Sequence, residues 1–442
     1  MKRFTRRQII ITAAVVAALA VMTGGYLYYA KTYGNASKIT LYDTASPDYD
    51  WQQLAADNNI VSDYLWSKTQ SLMVTGASDG VLIPTSYTIA GRLVTQEASE
   101  SGIYDLSDQA GLLSCYVRAG NRSSAARLKN TVNERFATDS GLYLSRIGSD
   151  EDITAEEDNL DWLEAYLEYY AVYGTSDDYV AIKALTGKLF DTDGQIVPES
   201  LTVAHYVDTM YASVDDSDGN GNGDGGDASL EQIYGALVGE DQNEEVSRNE
   251  EDASVSGVKL SNVRLKLIYD LEHNNLLPQG SYDSALATVQ GGIANADIPL
   301  YAYAYTVTDG SVSYIYTSEE DAAISVSESV ATMRNLAEMG QLDEASYNSL
   351  RNLVLNTGII DTYYYITTGN YSGTEAVEAY PDAMMVAFYM GDKDLYNALC
   401  RCVGSRVASK SSSPALYMIY REENGRYVFY AGENLSVRLS VG

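Results

Sequence analysis

From Trp51 onward the chain keeps returning to one pattern: apolar residues three and four apart, a brief turn, then the same again. That spacing gathers apolar side chains on one face of a helix. It predicts helices over 51–73, from Asp108 to about 118, and over 124–136, 154–171, 177–190, 258–273, 282–290, 319–339, 343–356, 376–390 and 394–403. Thr154 and Glu157 have the spacing of a capping box at the start of the fourth. Extended pieces are few: 80–92, 141–144, and a tail whose 415–421, 426–431 and 435–441 read as short strands. No repeat of fixed length runs through the series. Short helices on brief loops imply a mainly α protein, as an α/α toroid or a solenoid.

The N-terminus obeys a different rule. Lys2, Arg3, Arg6 and Arg7 precede an almost wholly apolar stretch, 9–30, long enough to cross a bilayer as one helix. Positive charge ahead of it places residues 1–8 in the cytoplasm. Tyr26, Tyr28 and Tyr29 suit a membrane interface. We read an uncleaved single-pass anchor; small residues at Ala30 and Ala36 leave a cleavable signal as the alternative. Either way the connector 31–50 and the domain 51–442 are expected outside the cytoplasmic membrane, at the extracellular face.

With 61 acidic residues against 29 basic ones, the formal charge is -32. Nucleic acid is thereby excluded as a partner, since phosphate binding needs basic patches. Neutral substrates stay open. Tyrosine is abundant, 38 against 5 Phe and 3 Trp. It suits stacking on sugars, and it serves equally as a core residue in place of Phe. Cys115, Cys400 and Cys402 make no disulfide framework, and only His205 and His273 are present. A multi-histidine metal site is ruled out, and a histidine-dependent hydrolase is disfavoured.

One segment breaks the helical pattern. Residues 213–257 carry 13 acidic residues and one basic residue, Arg248. Such a stretch cannot bury a core and reads as a disordered insertion. Asp216, Asp218, Asn220 and Asp227 partly fit a calcium loop, although Gly223 stands where an apolar residue is expected. No other cofactor is expected.

The residues with chemistry in them begin at Ser107-Asp108-Gln109-Ala110-Gly111-Leu112-Leu113. Asp108 is flanked by Leu106 and Leu112, and partial burial raises a carboxyl pKa and favours a proton donor. This stretch resembles the Ser-Glu-x-x-Gly motif of glycoside hydrolase family 8, most closely its membrane-anchored relatives encoded beside bacterial exopolysaccharide synthases. Asp158-Asn159-Leu160-Asp161-Trp162 is similar to the Asp-rich helix start of those proteins, and His205-Tyr206-Val207-Asp208 to a later Tyr-x-Asp element. Ile298-Pro299-Leu300-Tyr301, Val326-Ser327-Glu328-Ser329 and Gly369-Asn370-Tyr371 follow in the expected order. The resemblance spans about 60–405.

It implies an (α/α)6 barrel, inverting cleavage of a β-linked glucan or related polymer, and a membrane exopolysaccharide synthase as partner. Inversion needs an acid on one side of the glycosidic bond and a carboxylate that activates water on the other. By position, Asp108 is implied as the acid and Asp208 as the base. Asp158 or Asp161 then serves as a sugar-binding or electrostatic partner. Trp162, Tyr206, Glu328 and Tyr364 are implied substrate contacts, and Glu97, Glu100 and Glu328 are reserve acids. The family's acid is Glu, one methylene longer than Asp108. A displacement on the order of 1 Å can cost ~100-fold in rate. A binding or scaffold subunit of the same fold is therefore the alternative to an enzyme.

Each residue also has a plainer reading. Asp108 suits a helix N-cap, Asp158 a first-turn partner of the helix dipole, and Asp208 a surface pair with His205. Tyr363, Tyr364 and Tyr365 suit alternation into a core as well as a sugar cleft.

Overall fold

The structure is a computed structural model that describes residues 39–44, 47–90, 98–149, 153–203, 253–295, 297–308, 310–316, 323–366 and 368–441. The apolar stretch 9–30, Glu97, the calcium-loop residues Asp216, Asp218, Asn220 and Asp227, and His205, Tyr206 and Asp208 lie outside these residues. Among the described residues no helix is long and apolar enough to cross a membrane.

The predicted helix 51–73 is two helices, α1 (Trp51–Ala56) and α2 (Ser62–Thr69), the second running on into a π turn. Asn59, at φ 69°, turns the chain between them. Asparagine tolerates that left-handed conformation, so the break is local and inexpensive. Five consecutive helix pairs follow: α3 (Leu106–Arg118) with α4 (Arg122–Arg135), α5 (Glu156–Tyr173) with α6 (Ser176–Leu189), α7 (Leu265–His273) with α8 (Ser281–Gly291), α9 (Val326–Glu338) with α10 (Glu344–Thr357), and α11 (Tyr380–Tyr389) with α12 (Lys393–Gly404). The last helix, α13 (Ala431–Ser440), packs on α2 and makes the sixth pair. Apart from α5 and α7, the odd-numbered helices from α3 onward touch one another in sequence around a central cavity, and α13 closes the ring against α3. Between α5 and α7 the link is ionic. Arg264, the residue capping α7, reaches Asp161 at 2.7 Å and Glu164 at 3.2 Å.

Among the described residues, four antiparallel sheets attach to this ring. Three of their strands run straight into inner helices: β3 (Tyr104–Asp105) into α3, β9 (Ala323–Ser325) into α9 and β13 (Arg426–Tyr430) into α13. The strands therefore gather at the N-terminal ends of the inner helices and fix the direction in which each begins. β3 pairs with β4 (Arg146–Ile147), setting Asp105 opposite Arg146. β5 (Glu199–Val203) pairs with β6 (Ala253–Lys259), Val203 opposite Ala253. Residues 253–257, expected to belong to the acidic insertion, are thus strand.

Three other expectations are corrected. The start of α5 is capped by Ala155 without a side-chain bond, so the Thr154–Glu157 box does not form; a capping box occurs instead at Thr175 and Asp178, ahead of α6. The helix expected over 258–273 begins only at Leu265, because the chain up to Lys259 is committed to β6. Residues 435–441, expected as a strand, fall in α13 up to Ser440.

Tyrosine does take the place of Phe inside. Tyr166, Tyr380 and Tyr396 are almost wholly buried. An unsatisfied buried hydroxyl costs roughly 1–3 kcal/mol, and each of these has an acceptor. Tyr166 donates to Asp178 (2.9 Å), Tyr380 to Glu375 (2.6 Å) and Tyr396 to the Ser440 carbonyl (3.2 Å).

Candidate active site

The cavity inside the ring holds about 1370 Å³ and runs along the inner helices from their first turns, at Asp108 and Glu157, to Arg118 at the end of α3 and Glu168 in the second half of α5. Small residues keep it open on one side: Gly111 and Ser114 on α3, Ala165 on α5, Ser436 and Ser440 on α13.

Asp108 is the third residue of α3, 7% exposed, and lines the cavity. It is not the helix cap. That position belongs to Asp105, whose carboxylate is held in a two-point pair by Arg146, Nε to Oδ1 at 2.5 Å and Nη2 to Oδ2 at 3.0 Å. Gln109 fixes the entry to the helix from within the core. Its amide accepts from the Ile83 N–H (3.0 Å) and donates to the carbonyls of Ile83 (2.9 Å) and Asp105 (3.0 Å). On the far side of Asp108 stands Gly432 of α13, where a Cβ would lie 2.9 Å from Asp108 Oδ1. A side chain at 432 would crowd the carboxyl.

Burial, reinforced by the negative charges of Asp105 and Asp158, pushes the Asp108 carboxyl well above the usual range; Arg146 opposes this only in part. The protonated form is favoured. Asp158, third residue of α5, is raised to about 6 by burial, although hydroxyls of Ser145 and Ser107 donate to it. Ser107 precedes Asp108, so this hydrogen bond ties the two helix starts together. Asp161, one turn further on, also lines the cavity, and burial takes it to about 7 despite Arg264. Glu157 behaves oppositely. Burial alone would raise it, but Lys259 at 3.0 Å and Arg264 bring it below the usual range.

Asp108 and Asp161 thus line one cavity, and Asp158, which is not among its lining residues, is close enough for its charge to be felt at Asp108. The other described predictions do not join them. Trp162 is fully buried, tilted against Tyr143 and Tyr166, and has no surface to offer a sugar. Glu328 is third in α9, bonded to Lys259 (3.3 Å) and to the Ser261 hydroxyl (2.5 Å), and is not among the cavity-lining residues. Tyr364 sits half-buried on β10 (Tyr363–Tyr365), edge-on to Tyr371 at 5.1 Å. Glu100 accepts from the Ser78 N–H at 3.1 Å, away from the cavity lining. Arg264, Arg146 and Gln109 belong to the site and were not singled out from sequence. Among the described residues no cluster of His, Cys, Asp or Glu is built to hold a metal ion.

No protein-family model matches the chain. No curated protein matches it in sequence. Solved structures do match. A novel alpha-amylase from Clostridium perfringens superposes with a TM-score of 0.59 at 15% identity, covering 87% of this chain and 97% of that one. A beta-1,3-1,4-glucanase from Paenibacillus sp. X4 gives 0.50 at 10% identity over 93% and 98%. A glycoside hydrolase family 8 protein in complex with xylobiose, from Teredinibacter turnerae, gives 0.50 at 8% over 89% and 95%. The chain has the fold of these glycoside hydrolases, family 8 among them.

Proposed function

We propose that the protein is a membrane-anchored, extracytoplasmic glycoside hydrolase that cleaves a β-linked exopolysaccharide by inversion, with Asp108 as the general acid. One observation carries the reading: Asp108 is a buried carboxyl with no ion pair or hydrogen bond from the described residues, and it faces an open cavity. A group left so is poised to give its proton to a glycosidic oxygen rather than to hold the fold together. Asp158 supplies negative charge beside it and, ionised above about 6, helps Asp108 keep its proton. Asp208 is the proposed base, reached from the resemblance alone. The stretch 9–30 is the proposed anchor, and a membrane polysaccharide synthase the proposed partner.

The test is release of reducing ends from soluble β-glucan and, because one fold neighbour is an alpha-amylase, from soluble α-glucan. Activity is expected with the β-linked polymer, in the membrane fraction of expressing cells. Asp108→Asn should lower it at least ~100-fold. A second reading, a subunit that binds the polymer without cutting it, is favoured by the short side chain at 108. It is adopted if wild type and variant are equally inert and both retain glucan.

A further inference from the structure

Tyr64, on α2, is the most exposed aromatic side chain among the described residues, at 55%. Its ring stacks on that of Tyr417, with centroids 4.8 Å and planes 15° apart. Four non-glycine residues among those described have positive φ, and three are asparagines, which tolerate it. The fourth is Tyr417, at φ 76°. A bulky residue held there is strained, and such strain persists only where the surroundings impose it. Here they do. The Tyr417 N–H donates to the Ala408 carbonyl at 2.8 Å, the Ala408 N–H donates to the Met418 carbonyl at 2.8 Å, and Ala408 and Met418 are fully buried. A locked loop therefore turns the Tyr417 ring outward to meet Tyr64.

The other exposed tyrosine among the described residues is already engaged. Tyr49 has the Lys393 ammonium 3.8 Å from its ring centre and lies edge-on to Trp51. Neither Tyr64 nor Tyr417 lines the cavity. The outer face of the Tyr64 ring, held in place by the Tyr417 ring stacked behind it, is a flat apolar surface with a phenol hydroxyl at its edge and matches the C–H face of a pyranose ring. A nucleobase would also stack, but a chain of charge -32 repels the phosphates attached to it.

We propose that Tyr64 and Tyr417 form a second polysaccharide-binding site, outside the cavity, that takes the face of a sugar ring in a neutral β-1,4-linked glucan. The inference rests on the proposed substrate class but not on catalysis. Pre-set rings lose little freedom on binding, which is the advantage of locking Tyr417.

The experiment is retention of the full chain, in an Asp108→Asn background, by insoluble amorphous β-1,4-glucan. Tyr64→Ala should weaken retention about fivefold or more. Tyr417→Gly, which removes the ring and relieves the backbone, should do the same without lowering the melting temperature. Retention unchanged in both variants, or no retention of the parent chain, overturns the site. So does a change of sedimentation in Tyr64→Ala, which would assign the pair to self-association. Release of reducing ends from a short soluble glucan, measured with Tyr64→Ala alone, should match wild type. If no chain cuts that glucan while Tyr64-dependent retention persists, hydrolysis fails and this site stands.

Discussion

Among the described residues, five of the six inner helices carry an acidic residue at their third position: Asp108, Asp158, Glu328, Asp382 and Glu433. The two sides of the ring treat it differently. On α9, α11 and α13 it is neutralised, by Lys259 at 3.3 Å, by Arg334 at 3.2 Å and by Arg421. On α3 and α5 it is not. Asp158 receives only hydroxyls, and Asp108 has no ion pair among the described residues. Acidic residues in a first turn complement the helix dipole, and all five satisfy that rule. On the proposed function, what separates the candidate catalytic carboxyls from the capping ones is the missing cation, not the position in the helix.

The largest effect expected from this contrast is at Asp108. Asp108→Asn should remove hydrolysis, at least ~100-fold, and should leave the fold intact or strengthen it above about pH 4, since a desolvated carboxyl is replaced by a neutral amide. Steady-state rates and thermal melts on one preparation check both halves. A variant that loses stability along with activity would return Asp108 to the structural side of the ring.

Burial without a partner is not sufficient, as Glu156 shows. It is the first residue of α5, 7% exposed, both carboxyl oxygens lack a protein partner, and it does not line the cavity. Burial, with Glu199 and Glu157 adding repulsion, takes it to about 9 from 4.5. Between those values the folded protein holds a proton that the unfolded chain has lost, so stability falls as pH rises through the window. Glu156→Gln removes that slope. It should stabilise by roughly 1–3 kcal/mol at pH 8 and have little effect at pH 4, read from denaturant unfolding at both pH values. Activity should stay within about twofold. A large loss of rate would mean that the site extends beneath α5.

How the sequence looked at each of these places explains what it revealed. Helices with one wet face, such as α4 and α10, declared themselves by their period. α13 did not, because an inner helix has α2 on one side and a cavity on the other. Leu435 and Val437 are buried in packing while Ser436 and Leu439 face the cavity, so apolar residues alternate as they would in a strand. Trp162 was misassigned for a related reason. Adjacent residues are about 100° apart on a helix, so Asp161 points into the cavity and Trp162 into the core. The ion pairs of Arg146 and Arg264 depend on strand register and on ring closure, which no local pattern encodes.

Glu328 tests the neutralised side. Its pair with Lys259 is about one-fifth exposed on each partner, so Glu328→Gln should cost only about 1 kcal/mol in a chemical melt. Lys259 keeps Glu157. Turnover should change by no more than about threefold if a paired first-turn acid is structural. Loss of turnover here with Asp108→Asn still active would transfer the acid role to α9.

The smallest effect should come from Arg146, the cation that acts on both unneutralised helix starts. Its field lowers Asp108, and it feels Asp158 in return, while its two hydrogen bonds are spent on Asp105. Arg146→Gln leaves Asp105 charged and less compensated, so the carboxyls facing it, Asp108 and Asp158, should both titrate higher. For a general acid that must be protonated, the alkaline limb of the rate profile should move up in pH. For a partner that must be ionised, the acid limb should move up too. The whole bell is then displaced toward alkali rather than broadened. Arg146 is half exposed, so solvent damps the displacement to a few tenths of a pH unit, on the order of twofold in rate at the limbs. A variant whose profile lost height without moving would make Arg146 a prop for the β3–β4 pair and nothing more, and the electrostatic contrast between the two sides of the ring would then rest on Asp108 alone.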